Sequence, residues 1–444
     1  MKRFLLYTLF GFLIIQNLIA QPASGIIAKE DLLFLKNMTK AVLDSSRINP
    51  GAIVSSSFGP NNTKGVLICP GGKDDYPAFW IRDYAMALET GMIGTAEQKH
   101  MLLLTASTQC DQTWITKNGS MVPYGSIADH IRIDNSLPIY FPGTYDYAEQ
   151  GDKYYGMMPP YCDQFYFIHM AWYYVNNSVD LSILNKDING TKLIDRLEIA
   201  FKMPPARLSD QLVYTVSSFR GVDFGFRDGV EITGDLCFSS ILKYRAARQL
   251  STLFEKQKNK IKAEKYNEIA KQIRKALPLV FADAKGLLRA STGKSNQPDV
   301  WATALAVYFN MLEGTALINA CKNLSDAYEK GELAYKGNIR HVLTTDDYNE
   351  KTAWEGGRMD KNRYQNGAYW GTPVGWVCYA IAKINKTNAK KLIEEYIADL
   401  NENDFRKGGD RGAPYECFYP PSYKQNPLYL ATVACPYIVL KSLF

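Results

Sequence analysis

Histidine is scarce in this chain of 444 residues, with only four present, and neither H-E-x-x-H nor G-x-S-x-G occurs. The first absence removes the metalloprotease reading and the second the serine-hydrolase reading, because each chemistry needs its own ligands or nucleophile turn. Eight cysteines (Cys69, Cys110, Cys162, Cys237, Cys321, Cys378, Cys417 and Cys435) are scattered and none forms C-x-x-C. Zinc ligation is therefore not expected, and no other metal or cofactor is implied. The formal net charge is +6, or +4 without Lys2 and Arg3, and no Lys/Arg run tracks with aromatics. Nucleic acid is excluded as a partner on that ground.

What the chain does have is aromatic: 13% of residues, with 29 Tyr and 7 Trp. Many stand in Gly/Pro-rich loops, where a ring offers a flat, half-wet surface suited to a sugar. Apolar content of 46% and charge of 22% are those of a globular protein. The length calls for two domains or one large toroid or barrel.

Residues 1–20 combine a basic start, an apolar stretch from Phe4 to Ile15 and the small Ala20. They are expected to be a secretory signal peptide, too short and too broken by Gln16 and Asn17 for a membrane span. Leu18 stands three before that cut, so cleavage after Ala23 is the alternative. Residues 21–444 are then one exported domain, secreted or periplasmic, monomeric, and not membrane-bound after removal of the signal. An exported destination permits disulfides. Sequons at Asn37 and Asn118 matter only in a eukaryotic host.

The chain is organised around Val222–Ser240, V-D-F-G-F-R-D-G-V-E-I-T-G-D-L-C-F-S-S, a Gly-punctuated stretch with four carboxylates. It runs into an apolar-periodic segment, so it reads as a loop ending at a helix. Asp228, between Phe226 and a turn glycine, is placed for desolvation to raise its pKa and suit it to general-acid work. Taken singly, Asp228, Glu231 and Asp235 also fit plain turn and capping roles.

Periodicity predicts twelve helices, near 29–44, 83–92, 96–108, 163–175, 191–202, 236–254, 261–276, 299–312, 315–328, 369–384, 389–400 and 427–443, with almost no strand. A Gly/Pro/Tyr-rich loop from Gln112 to Tyr161 is the longest irregular piece, of a length that is usually functional. Each even-numbered helix follows an aromatic and carboxylate or amide cluster: W-I-R-D at Trp80, Y-C-D-Q at Tyr161, F-R-D-G at Phe226, N-Q-P-D at Asn296, Y-Q-N-G-A-Y-W at Tyr364 and Y-E-C-F at Tyr415. Odd-numbered helices start from short polar turns. Recurrence at intervals of about fifty to eighty residues implies six helical hairpins. The expected fold is all-α, an (α/α)6 barrel whose inner helices aim their N-termini and all six clusters at one mouth. An open helical solenoid explains six turns but not their alternation.

These motifs resemble those of the six-hairpin glycosidases, most closely the glucosidase part of glycogen debranching enzymes and, more distantly, glucoamylases. Y-P-A-F-W-I-R-D-Y-A-M-A-L is similar to that family's W-G-R-D-T before a helix, F-R-D-G to its W-M-D-A, Y-Q-N-G-A-Y-W to its Y-H-N-G-S-V-W, and Y-E-C-F-Y-P-P to its S-E-I-F-D-G. The ordered set spans about residues 70–444. The resemblance implies that Arg82 and Asp83 hold hydroxyls of a terminal sugar, that Asp228 is the general acid and that Glu416 is the general base. Arg227 departs from the family's apolar residue, Thr233-Gly234-Asp235 stands where T-P-R is usual, and no transferase domain or preceding β-sandwich is present.

Two carboxylates with opposite duties are what an inverting glycosidase needs, one protonated at the leaving oxygen and one ionised beside water, roughly 6.5–9.5 Å apart. A positive helix end beside each would oppose the raised pKa of an acid, as would Arg227 turned inward. Phe226, or Glu231 or Asp235 as a neighbouring charge, would have to outweigh them. Trp80, Arg82 and Asp83 are read as a sugar-binding group, with a plain loop ion pair as the alternative. Asp163, Glu231, Asp235, Glu355, Asn366 and Trp370 complete the candidate substrate-binding set. Asp163 and Asp299 also fit as N-caps, Asn366 as a turn residue and Trp370 as core, while Glu355 in W-E-G-G is the alternative base. The expected activity is that of an exported inverting exo-glycosidase on α-linked, glucosidic hexose ends. Its rivals are an α-mannosidase, an unsaturated-uronide hydrolase or polysaccharide lyase on the same scaffold, and a non-catalytic carbohydrate-binding barrel.

Overall fold

The computed structural model describes residues 25–54, 59–71, 76–116, 119–135, 138–140, 158–218 and 220–444. The expected signal peptide, the sequon at Asn118 and residues 141–157 of the long loop lie outside the described residues.

Twelve α-helices are present among the described residues. The odd-numbered ones are α1 (Lys29–Ser46), α3 (Thr95–Ser107), α5 (Leu193–Lys202), α7 (Lys260–Phe281), α9 (Gly314–Glu329) and α11 (Lys386–Glu402). The even-numbered ones are α2 (Ile81–Ala87), α4 (Tyr161–Ser178), α6 (Cys237–Lys256), α8 (Val300–Tyr308), α10 (Val374–Ala382) and α12 (Leu430–Leu440). Composition divides the two sets. Every residue of α2 is buried, as are all but one each of α8, α10 and α12. Helices apolar all round are stable only when surrounded. The odd helices are amphipathic: α7 buries Ala263, Tyr266, Ala270, Ile273 and Leu277 on one stripe and turns its lysines outward.

The even helices pack in sequence, α2 on α4, α4 on α6, α6 on α8, α8 on α10 and α10 on α12, and α12 packs back on α2. The odd helices lie outside them, α1 against α12, α3 against α4 and α7 against α6. A small cavity inside the inner set is lined from all six even helices, by Met86, His169, Leu242, Leu305, Trp376 and Cys435 among others. This helix-rich, closed order of contacts is consistent with an α/α toroid.

Two helices start later than their apolar patterns predict. Helix α10 begins at Val374 because Pro373 disfavours helix at the residue before it, and Tyr369 and Trp370 instead form isolated bridges to Phe418 and Ile339. Helix α12 begins at Leu430, after Pro427 and a left-handed Leu428. Strand, expected to be almost absent, occurs as 17 pieces of two or three residues among the described residues. Such pieces are too short to carry a period-two signal. They tie the loops to one another: Trp80 pairs with His130, Val230–Glu231 with Gly356–Gly357, and Cys417–Tyr419 folds back on Tyr423–Gln425. All eight cysteines are buried and none is in a disulfide, so none of the permitted bridges is formed.

Candidate active site

The loops preceding α2, α6, α10 and α12 converge on one cavity of about 260 Å³. Tyr76, Trp80, Arg82, Asp83, Asp228 and Glu416 stand in its wall, with His130, Phe226, Arg358, Met359, Tyr364 and Tyr429. The two carboxylates singled out from the sequence thus share one cavity, although 187 positions separate them.

Asp228 follows a short 3-10 turn, Gly225–Arg227. Gly225 is required there: a Cβ would lie 1.6 Å from Nη1 of Arg82. Asp228 Oδ1 accepts from Nε2 of Gln365 at 2.7 Å, and Gln365 Oε1 accepts from the Gly229 N–H at 2.7 Å, so one amide fixes both the turn and its carboxyl. Burial pushes the Asp228 carboxyl up to about 6, against the opposing pull of Arg82 and the Gln365 bond. The neighbouring charge that adds to that rise is Asp129. Arg227 turns away from the cavity, forming two bonds to Asp299 at 2.6 and 2.7 Å beneath Phe238 and Trp354. It therefore does not oppose the acid.

Glu416 is 1% exposed and accepts three hydrogen bonds. Tyr364 OH donates to Oε1 at 2.8 Å, while Tyr76 OH and Nδ2 of Asn426 donate to Oε2 at 2.8 and 2.6 Å. Burial still pushes this carboxyl up to about 7. Neither carboxylate sits in the first turn of an inner helix. Asp228 is separated from α6 by two short strands, and Glu416 from α12 by a hairpin, so the expected opposition from a helix terminus does not arise.

Arg82 and Asp83 begin α2 and belong to a larger buried cluster. Arg82 Nη1 donates to Asp129 Oδ1 at 3.1 Å and lies 3.6 Å from Asp163, and its Nε lies 3.7 Å from Asp83 Oδ2. Neither that Nε nor that Oδ2 has a hydrogen-bond partner among the described residues. Asp83 Oδ1 accepts from Tyr429 OH at 2.5 Å. One guanidinium cannot neutralise three carboxylates. Burial and Asp129 hold Asp163 well above the carboxylate range, whereas at Asp129 Arg82 and His130 outweigh burial and lower it. Trp80 stacks on His130 with centroids 4.2 Å apart, and His130 Nδ1 lies 2.8 Å from Asp129 Oδ2.

The other candidate residues lie outside the lining. Asp163 is fully buried in the first turn of α4, against Arg82, rather than capping the helix; Asp299 does cap α8, through the Ala302 N–H. Glu231 is exposed, and Asp235 pairs with Arg207 at 2.8 Å. Glu355 accepts from Thr233 at 2.8 Å and from the Ser295 N–H at 3.1 Å, fastening two loops. Asn366 accepts from the Ala353 N–H and donates to the Met359 carbonyl, both at 2.8 Å, which is a turn role. Trp370 is fully buried and stacks on Phe226 at 5.5 Å.

Several lining residues were not singled out from the sequence. Tyr364 and Gln365 precede Asn366 in the same motif, and Tyr76 opens Y-P-A-F-W, so their aromatic and amide character was a usable signal. His130 had none: it reaches the cavity on a three-residue strand, with Asp129 buried behind it against Arg82. Among the described residues, no group of three or more His, Cys, Asp or Glu is arranged to hold a metal ion, and no helix is long and apolar enough to cross a membrane.

In sequence, the chain matches no family model and no curated protein. In structure it is similar to a rhamnosidase from Klebsiella oxytoca, solved with rhamnose bound, at TM-score 0.53 and 12% identity, covering 96% of this chain and 67% of that one. It is also similar to a GH63 mannosylglycerate hydrolase from Thermus thermophilus, solved in complex with glucose, at TM-score 0.56 and 13% identity, covering 91% of this chain and 99% of that one. At such identities the likeness concerns the fold. Neither structure is a debranching enzyme or a glucoamylase, so that narrower kinship rests on the motifs alone.

Proposed function

We propose that the twelve helices form an (α/α)6 barrel and that the cavity at its mouth is the active site of an inverting exo-glycosidase. One observation carries this reading: two carboxylates, both raised by burial into the neutral range, line one cavity beside an aromatic wall. Asp228 is the general acid. Among the described residues its one side-chain donor is Gln365, on Oδ1, with the Gly229 N–H adding a lesser pull, so Oδ2 has no side-chain donor and is the oxygen to carry the proton. Glu416, with three donors, is the general base, because hydrogen bonds to a carboxylate favour its ionised form.

The order of the two values, about 6 for Asp228 and about 7 for Glu416, runs against these roles. Substrate binding reverses that order. Asp228 is half-buried, so a bound sugar that displaces its water raises it further, whereas Glu416 is already fully enclosed. Arg82 Nε and Asp83 Oδ2 offer a donor and an acceptor of the kind vicinal hydroxyls bridge, and Trp80 offers a stacking face.

The substrate class is an α-linked hexose at a chain end, with a glucosidic end preferred on the motif resemblance. The solved relatives were crystallised with rhamnose and with glucose, which supports a monosaccharide-sized subsite. Export through a leader at residues 1–20 and a monomeric state belong to the same proposal. The test is hydrolysis of a panel of α-linked disaccharides followed by NMR of the first-formed anomer. Inversion delivers the β-anomer, and the α-anomer as first product overturns the mechanism.

A further inference from the structure

The residues that grip Glu416 have unusual backbones. Tyr364 has φ +43° and Asn426 φ +37°, and Leu428, beside Tyr429, has φ +55°. Asn tolerates the left-handed region, but for a bulky residue such as Tyr it is an outlier. Conformations of this kind persist where the surroundings over-determine them, and they cluster at working sites.

The bonds they support have a direction. The Asn426 amide donates to Tyr76 OH at 2.6 Å as well as to Glu416 Oε2, so the Tyr76 oxygen accepts one bond and commits its own hydrogen to the carboxylate. Two of the four lone pairs of the carboxylate are thereby filled on Oε2, and Tyr364 fills a third on Oε1. The fourth, on Oε1, has no donor among the described residues.

We infer that Tyr364, Tyr76 and Asn426 are positioning residues that hold Glu416 as an acceptor with one lone pair to spare, on Oε1, and so fix which atom takes the proton of the attacking water. This rests on the glycosidase reading above. Other groups that face the carboxyl are Asp83 and Tyr429 from the α2 and α12 side, Cys417 next in the chain and Tyr423 on the paired strand. They are left in place by the variants below.

Asn426→Gly tests it, because glycine takes φ +37° without strain and removes only the amide. A melting temperature equal to or above that of the parent is expected, with kcat down roughly tenfold or more, KM within about twofold, and the acidic limb of the pH–rate profile moved upward. Tyr364→Phe, which keeps the ring and the backbone, is expected to act in the same direction. Independently of turnover, ¹³C NMR titration of the Glu416 carboxyl, assigned by difference against Glu416→Gln, should shift upward in both variants. Loss of kcat together with thermal stability and no shift in the titration assigns a purely structural role and overturns the inference. So does an unchanged kcat with an unchanged titration. If the wild-type protein cleaves no glycoside while the titration shifts as stated, the glycosidase reading fails and the holding role stands.

Discussion

Replacing Asp228 by asparagine removes a transferable proton while keeping the shape and the Gln365 contact at Oδ1. With a value of about 6, about a quarter of this carboxyl is protonated in the free protein at pH 6.5. A positioned general acid contributes roughly 10²–10⁴-fold, or about 3–5 kcal/mol of the barrier. That contribution depends on the leaving group. An aryl glycoside with a basic phenol needs the proton, whereas a glycosyl fluoride departs without it. For Asp228→Asn, kcat/KM on the former is expected to fall by the full factor and on the latter by less than roughly tenfold. The basic limb of the pH–rate profile, set by loss of the acid's proton, should disappear. Equal losses on both substrates refute the assignment of Asp228 as proton donor. If Glu416→Gln instead of Asp228→Asn shows the leaving-group pattern, the two roles are exchanged.

Four further outcomes follow from the same geometry. Glu416→Gln is expected to abolish turnover of both substrate types with little change in melting temperature, since Tyr76 and Asn426 keep an oxygen acceptor at the Oε2 position and the Tyr364 hydroxyl can turn to accept from the new amide; steady-state kinetics with a thermal melt checks this. Both carboxyls have folded-state values above their ordinary 3.8 and 4.5. The folded protein therefore keeps protons that the unfolded chain releases, and stability declines as pH rises from about 4 to about 7. The loss is at most about 3 kcal/mol per group, and less for the half-buried Asp228. Urea unfolding at about pH 4 and about pH 8 should show this decline, flattened in Asp228→Asn and in Glu416→Gln. Arg227→Ala leaves Asp299 and Asp223 as uncompensated buried charges and is expected to cost about 3–5 kcal/mol in urea unfolding. Gly225→Ala places a methyl group on Arg82 Nη1 and should lower activity through a displaced guanidinium or turn, visible as loss of kcat/KM in protein that still folds.

Helix periodicity and the alternation of loop clusters were legible because they are local. The apolar faces of α8, α10 and α12 and the one-sided stripe of α7 are written in three- and four-residue spacings. Trp80, Arg82, Asp83, Asp228 and Glu416, drawn from separate motifs, stand around one cavity. What could not be read was which member of each cluster turns inward. In Y-Q-N-G the tyrosine and glutamine reach the carboxylates, while Asn366 folds onto its own loop. In F-R-D-G the arginine alone turns away, to Asp299, while Phe226, Asp228 and Gly229 line the cavity. Those choices are made by two-residue ribbons and left-handed residues, which pair segments distant in sequence and leave no periodic trace. His130 illustrates this: it enters the wall because Trp80 pairs with it across a strand.

The packing of α12 on α2 has a consequence for how the protein comes into being. Tyr76 through Asp83 stand near the start of the chain and Glu416 through Tyr429 near its end, yet Asp83 bonds Tyr429, and Tyr76 bonds both Glu416 and Asn426. A polypeptide still emerging from the ribosome possesses neither a base nor a finished pocket, however well its first hairpins have formed. Competence arrives all at once, with the last hairpin. Joining the chain from Ile26 onward to Leu443, whose backbones already meet, and cutting an exposed outer turn instead should therefore yield a working molecule, while removing the last hairpin takes Glu416 and Tyr429 with it and leaves the pocket unfinished.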